Sequence, residues 1–315
     1  VRNQGVLPVI GVQRAPAEVI SLIRKSVGEK HRKKQVNIRL GIVAIALMLL
    51  VGCQSSGQDT LVDRGSYQLE TQHQAQGADQ RIRFLVMHYT AEDFHSSLKT
   101  LTDEHVSAHY LLPEHPPLRE GKPVAFQLVP EEMRAWHAGA SNWRGRSNLN
   151  DTSIGIEIVN PGFSRTLLGK QWQPYTAEQI DLLIRLSSDI VQRYAMQPTD
   201  VVGHSDIAPQ RKQDPGPLFP WQQLAQAGIG AWPDKPEVER YLAGRDKQMP
   251  VPMARLLEKL ARYGYGIDPL WDAKQQRNVV AAFQMHFRPS DYHGEPDAES
   301  EAIIDALLAK YGAIR

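Results

Sequence analysis

The sequence holds a single cysteine, Cys53, so no disulfide can form within the chain and a cysteine-rich zinc site is excluded. Any metal must rest on histidine and carboxylate. An excess of one charge is also missing. Lys+Arg 36 against Asp+Glu 35 gives a net charge of +1, without the clustered basic surplus a nucleic-acid binder needs. Nor is there a run of the roughly 20 apolar residues that cross a bilayer. With 42% hydrophobic and 23% charged residues, the composition is that of a soluble globular chain rather than a disordered or multi-span one. A length of 315 residues suits about two domains.

What is present begins with a basic stretch, His31, Arg32, Lys33 and Lys34, with Arg39 further on, and then the apolar residues 40–50. These have the proportions of a signal-peptide core behind a positive lead. The run ends in Leu50-Val51-Gly52-Cys53, which resembles the cleavage and lipidation signal of bacterial lipoproteins. A lone cysteine after an apolar helix can also simply be buried, but here a Gln/Ser/Gly-rich stretch follows. The resemblance implies cleavage before Cys53 and its acylation, and several acyl chains on one residue anchor stably where one is marginal. Gln54 stands where an Asp would favour the inner membrane, so the expected address is the outer membrane, with the protein facing the periplasm. Residues 1–52 are thus expected to be an upstream extension and signal peptide, with residues 1–30 reading as an over-extended frame. Residues 53–80 are expected to be the lipidated cysteine and a polar, flexible tether.

Order is expected from residue 81. Arg81-Ile82-Arg83-Phe84-Leu85-Val86-Met87 has the length and continuous apolar character of a buried strand. A second strand covers residues 153–159, where Ile154, Ile156 and Ile158 share one face and Glu157 takes the other. A helix starts at Thr176, with Gln179 at the reciprocal capping position, and carries the stripe Ile180, Leu183, Ile184, Ile190, Val191 and Tyr194. Val201-Val202 is a short strand. Strands alternating with helices predict an α/β domain over residues 81–232, a central mixed β-sheet flanked by helices. A Pro-rich linker at residues 231–236 then leads to a small all-α domain, residues 233–315, with helices near 252–263, 272–287 and 298–311. Leu256, Leu257, Leu260, Val279, Val280, Phe283 and Phe287 have the spacing of its core.

Three potential ligands stand apart from the other histidines and carboxylates. His88 follows the first strand directly and His204 follows Val201-Val202-Gly203, so both imidazoles sit at strand ends. Asp214 closes a loop shaped by Pro209, Pro215 and Gly216. Two imidazoles and one carboxylate leave Zn²⁺ a coordination position open, the pattern of catalytic sites.

Five ordered segments carry a wider resemblance: residues 86–90 around His88, 107–110 around His109, 135–139 (Ala-Trp-His-Ala-Gly), 150–157 (Asn-Asp-Thr-Ser-Ile-Gly-Ile-Glu) and 203–216. Together they resemble the type-2 N-acetylmuramoyl-L-alanine amidases, relatives of the peptidoglycan recognition proteins, and in particular their lipoprotein branch in the enterobacterial outer membrane. The similarity extends over the whole mature chain, because that branch also carries a small helical domain like peptidoglycan-binding modules.

The resemblance implies one Zn²⁺ held by His88, His204 and Asp214, and hydrolysis of the amide between N-acetylmuramic acid and L-alanine in peptidoglycan or its muropeptides, for wall turnover or recycling. It implies Glu157 as the general base, since a carboxylate beside the metal can take a proton from the attacking water. It implies Lys212 as the cation that stabilises the oxyanion. From the residues alone, Glu157 could be a strand residue paired with an arginine, and Lys212 a solvated loop lysine. His109 and His137 could line the cleft, donate to the oxyanion or hydrogen-bond a strand. Tyr89, Thr90 and Trp136 are candidate contacts to the stem peptide or sugar, though Trp136 could equally be core packing; Asn160 is a candidate peptide contact. His95, His105 and His115 read as surface residues. A monomer is expected. The alternative is a peptidoglycan-recognition module that binds without cutting; relatives of that kind typically lack the third ligand, which Asp214 supplies here.

Overall fold

The computed structural model describes residues 61–167 and 169–314. Cys53 and the signal-like segment lie outside them. Among the described residues, no helix is long and apolar enough to cross a membrane. The chain divides into two compact units, Val1–Ala78 and Asp79–Arg315. The described part of the first holds an antiparallel hairpin, β1 (Leu61–Asp63) and β2 (Gln68–Glu70), where a featureless tether was expected. Both strands are exposed along their whole length.

The second unit opens with β3 (Phe84–Tyr89), α1 (Phe94–Leu101) and β4 (Tyr110–Leu112). Short pieces follow: β5 (Leu118–Arg119), β6 (Lys122–Pro123), β7 (Phe126–Gln127), β8 (Asn142–Trp143) and β9 (Arg146–Ser147). Then come β10 (Ser153–Ile158), β11 (Phe163–Thr166), β12 (Gly169–Trp172), α2 (Ala177–Arg193) and β13 (Val201–Gly203). The remainder is helical: α3 (His204–Ile207), α4 (Trp221–Gln226), α5 (Lys235–Leu242), α6 (Met253–Tyr263), α7 (Ala273–Phe287) and α8 (Ala298–Tyr311).

The central sheet has the order β13-β3-β10-β4-β7. Its first four strands are parallel and β7 is antiparallel at the edge, so the mixed α/β sheet expected from the sequence is what forms. β3 is apolar without alternation because it is buried on both faces, as inner parallel strands are. Leu85 and Met87 join Ile154, Ile156 and Ile158 in a core covered by α2. On the opposite face Phe84, Val86 and Val202 pack with Trp143, Leu149, Leu256, Leu260, Val280 and Phe283.

That second core changes the expected domain plan. The carboxy-terminal helices do not close a core of their own; they share one with the sheet, within a single compact unit. Residues 231–236 are not a linker but the approach to α5: Asp234 is its N-cap and Pro236 lies in its first turn, where a missing N–H costs nothing. The Trp143 indole donates to the Thr199 carbonyl at 2.9 Å and sets its ring edge against Tyr263 and Tyr265. The helix starts follow the sequence closely, with Asp272 and Gln275 forming a capping box and Asp297 accepting from the Ser300 N–H at 2.8 Å. The reciprocal cap at Thr176 is only half made. Thr176 Oγ1 accepts from the Gln179 N–H, but the Gln179 amide turns inward to donate to the Leu112 and Val159 carbonyls, which are buried and need a donor.

Candidate active site

Strand register sets the site. Glu157 of β10 is the partner of His88 on β3, and Gly203 of β13 is the partner of Met87, so His204 emerges beside His88. All three leave the carboxyl ends of parallel strands, where open α/β sheets place their ligands. The loop after α3 returns Asp214 to the same point, its carbonyl accepting from the Ser205 N–H at 2.9 Å.

The three expected ligands converge. His88 Nδ1 lies 2.9 Å from His204 Nδ1 and 3.1 Å from Asp214 Oδ2, and His204 Nδ1 lies 3.0 Å from the same oxygen. All are buried, and one ligand atom from each lies within 4.8 Å of the others. Two imidazole nitrogens and a carboxylate oxygen directed at one point are a donor set suited to a divalent cation. His204 Nε2 donates to the Ala138 carbonyl at 3.2 Å, which leaves Nδ1 with its lone pair.

Electrostatics fit the same purpose. Burial pushes His88 down to about 4, helped by the neighbouring His204, so it is neutral. Burial pushes the Glu157 carboxyl up to about 8; the Asp214 charge adds to this and the Lys212 ammonium opposes it. Glu157 Oε2 is shut off from solvent without a hydrogen-bond partner. A carboxylate oxygen in that state beside a ligand cluster is suited to meet a bound cation and its solvent.

A cleft of about 560 Å³ opens over this cluster, lined by Tyr89, Thr90, Trp136, His137, Glu157 and Lys212 among others. Trp136 is 52% exposed at its rim, so it is a cleft residue and not core. Two expected contacts do not reach it. His109 is fully buried, accepting from the Gly155 N–H at 3.0 Å and donating to the Met133 carbonyl at 3.2 Å; it ties β10 to the 133–137 loop. Asn160 is buried too, its amide donating to the Gln173 and Pro174 carbonyls and accepting from the Gly162 N–H. It fixes the base of the β11–β12 hairpin. His137 faces the cleft but has both ring nitrogens engaged. His95, His105 and His115 are exposed, as expected.

Other residues at the site had no sequence signal. Phe163 of the β11–β12 hairpin and Asn278 of α7 complete the cleft wall, Asn278 donating to Gln210 Oε1 at 3.0 Å. Arg211, a rival to Lys212 by position, is instead spent on the Ala138 and Ala140 carbonyls, which among the described residues lining the cleft leaves Lys212 as the cation free to face it.

The N-acetylmuramoyl-L-alanine amidase family model matches residues 78–217. The chain is 58% identical over 271 residues to the N-acetylmuramoyl-L-alanine amidase AmiD of Escherichia coli K12, covering 86% of this chain and 97% of that one. It is 44% identical over 106 residues to the 1,6-anhydro-N-acetylmuramyl-L-alanine amidase AmpD of Enterobacter cloacae, over 34% of this chain and 51% of that one. In three dimensions it matches the complex of the E. coli AmiD with anhydro-N-acetylmuramic acid-L-Ala-D-gamma-Glu-L-Lys, with a TM-score of 0.78 over 80% of this chain and 98% of that one. It also matches AmpDh3 of Pseudomonas aeruginosa in complex with anhydromuramic pentapeptide, at 46% identity and a TM-score of 0.70 over 79% and 98% of the two chains.

Proposed function

The chain belongs to the N-acetylmuramoyl-L-alanine amidase family, and from that premise we propose that one Zn²⁺ held by His88, His204 and Asp214 serves hydrolysis of the muramoyl-L-alanine amide in peptidoglycan fragments. The convergence of those three ligand atoms beside the orphaned Glu157 oxygen carries this reading. Zn²⁺ at this point would polarise the amide carbonyl and the incoming water and favour the ionised form of a neighbouring carboxylate.

Glu157 takes a proton from the water as its oxygen attacks the carbonyl carbon. The same carboxyl returns that proton to the departing L-alanine nitrogen as the carbon–nitrogen bond breaks, so it ends in its starting state. Lys212 offers its ammonium to the oxygen that gains negative charge, an interaction stronger in the transition state than in the ground state. Tyr89, Thr90 and Trp136 present an aromatic face with nearby hydroxyls at the cleft mouth, suited to a glycopeptide with one apolar side. AmiD and AmpDh3 were captured with anhydromuramyl peptides, and ligands of that class are the substrate proposed here, in wall turnover or recycling.

The basic and apolar run that ends at Cys53 supports a lipid anchor, and Gln54 supports the outer membrane with the cleft facing the periplasm. The protein is proposed to act as a monomer. The test is mass spectrometry of muropeptides digested by zinc-replete and chelator-treated protein. Free stem peptides beginning in L-alanine should appear only in the first. Cleavage at another bond, or undiminished cleavage after chelation, would refute the assignment.

A further inference from the structure

His137 stands directly behind the ligand His88. His88 Nε2 lies 3.0 Å from His137 Nδ1, and His137 Nε2 lies 3.2 Å from the Ser153 hydroxyl. That hydroxyl in turn donates to the Leu149 carbonyl at 2.6 Å. A hydroxyl has one proton to give, so toward His137 it can only accept. His137 therefore carries its proton on Nε2 and offers a bare Nδ1. A bare Nδ1 can only accept, which puts the His88 proton on Nε2. His88 Nδ1, the atom turned toward His204 and Asp214, then keeps its lone pair.

We propose that the chain Leu149–Ser153–His137 fixes the tautomer and ring orientation of His88, making His137 and Ser153 positioning residues for the metal. The proposal rests on His88, His204 and Asp214 being the zinc ligands.

Two further features are built around the same ring. A Cβ on Gly155 would stand 2.5–2.7 Å from three atoms of the His137 imidazole, so only glycine on this strand admits the ring. Asn150 Oδ1 accepts from the backbone N–H groups of His137 at 3.1 Å and Ala138 at 2.7 Å. It thereby fixes the loop whose Ala138 carbonyl also orients His204. Ser153, Gly155 and Glu157 alternate along one face of β10, as the strand period requires: the first anchors the ring, the second makes room for it and the third faces the cleft.

The test measures zinc affinity of the full chain by chelator competition, with the visible spectrum of the Co²⁺ form and the melting of the metal-free form alongside. Loss of a group that orients a metal ligand costs about 10–100-fold in affinity. His137→Ala should show that loss and an altered Co²⁺ spectrum. His137→Asn, whose amide oxygen can replace Nδ1 as acceptor, should recover most of the affinity. Gly155→Ala, which displaces the ring without touching a ligand, should resemble His137→Ala. A folded His137→Ala with wild-type affinity and spectrum overturns the proposal, as does an Asn variant no better than Ala. Should His137→Ala fail to fold, wild-type affinity in Gly155→Ala overturns it. A wild type that takes up no Zn²⁺ would instead overturn the ligand assignment, and the proposal with it.

Discussion

His286 Nδ1 donates to Asp206 Oδ2 at 2.7 Å, joining α7 to the short helix that begins with His204. The Tyr265 hydroxyl donates to the other oxygen of Asp206 at 2.7 Å, and the Gly203 N–H donates at 2.7 Å to the oxygen shared with His286. The His286 ring is stacked on Trp221 and Phe287, with centroids 3.8 and 3.9 Å away. A buried carboxylate thus ties the segment bearing His204 to the carboxy-terminal helices. Asp206→Ala would strand three buried donors, each worth roughly 1–3 kcal/mol when unsatisfied. Urea unfolding should show a loss of at least about 3 kcal/mol, and a loss under about 1 kcal/mol would reject the role.

The shared core makes a second expectation. Removing residues 233–315 would expose Val86, Trp143 and Val202, and the remaining chain should be insoluble or molten. Within the intact protein, Phe283→Ala should destabilise by about 3–5 kcal/mol and do so in one cooperative transition. A soluble, active truncation, or two separate transitions in Phe283→Ala, would show that the helices fold apart.

Glu157→Ala should retain one zinc per chain and lose turnover by about 100-fold or more, the scale of a general acid–base contribution. Steady-state rates with a muramyl peptide, beside metal analysis, decide it. Turnover within tenfold of wild type would remove Glu157 as the base.

Part of the acid sensitivity should come from a group outside the cleft lining. The Arg193 guanidinium and the hydroxyls of Tyr110 and Tyr194 converge on the buried Glu131. The Arg193 hydrogen bond, opposed by burial and aided by the tyrosines, holds its carboxyl down to about 2 from an ordinary 4.5. A depressed folded-state pKa means the contribution is complete above about 4.5 and fades as pH falls toward 2. Urea midpoints measured between these limits should fall more steeply for wild type than for Glu131→Gln. Parallel curves would sink the claim.

Cys53→Ser should accumulate as unprocessed precursor without acyl label. Labelled palmitate on that variant would remove the cysteine as the anchor.

Much of the site was legible because its chemistry sits at strand ends. His88 and His204 follow apolar runs and Glu157 sits near the end of one, and parallel pairing brings them side by side; the role expected of Glu157 came from the family resemblance, because its strand alone fits a carboxylate paired with an arginine equally well. Asp214 was legible through its Pro- and Gly-bounded loop. What stayed hidden depends on long-range partners. His109 and Asn160 look like any polar residue near a strand end, and only the positions of Gly155 and of the Gln173 and Pro174 carbonyls assign them to scaffolding. The approach to α5 read as a linker because proline marks both a break and a helix start. That Phe283 and Val86 share a core could not be seen either, since helical spacing says which face is apolar and not what it meets.

The alternation of β10 leaves that strand no freedom in length. Inserting or deleting one residue near its start would rotate the isoleucines into the cleft and drive serine, glycine and glutamate into the packing beneath α2. The support of the His137 ring, the placement of Glu157 at the cleft and the packing of the main sheet would fail together. The number of residues along the strand is therefore fixed by three separate demands at once.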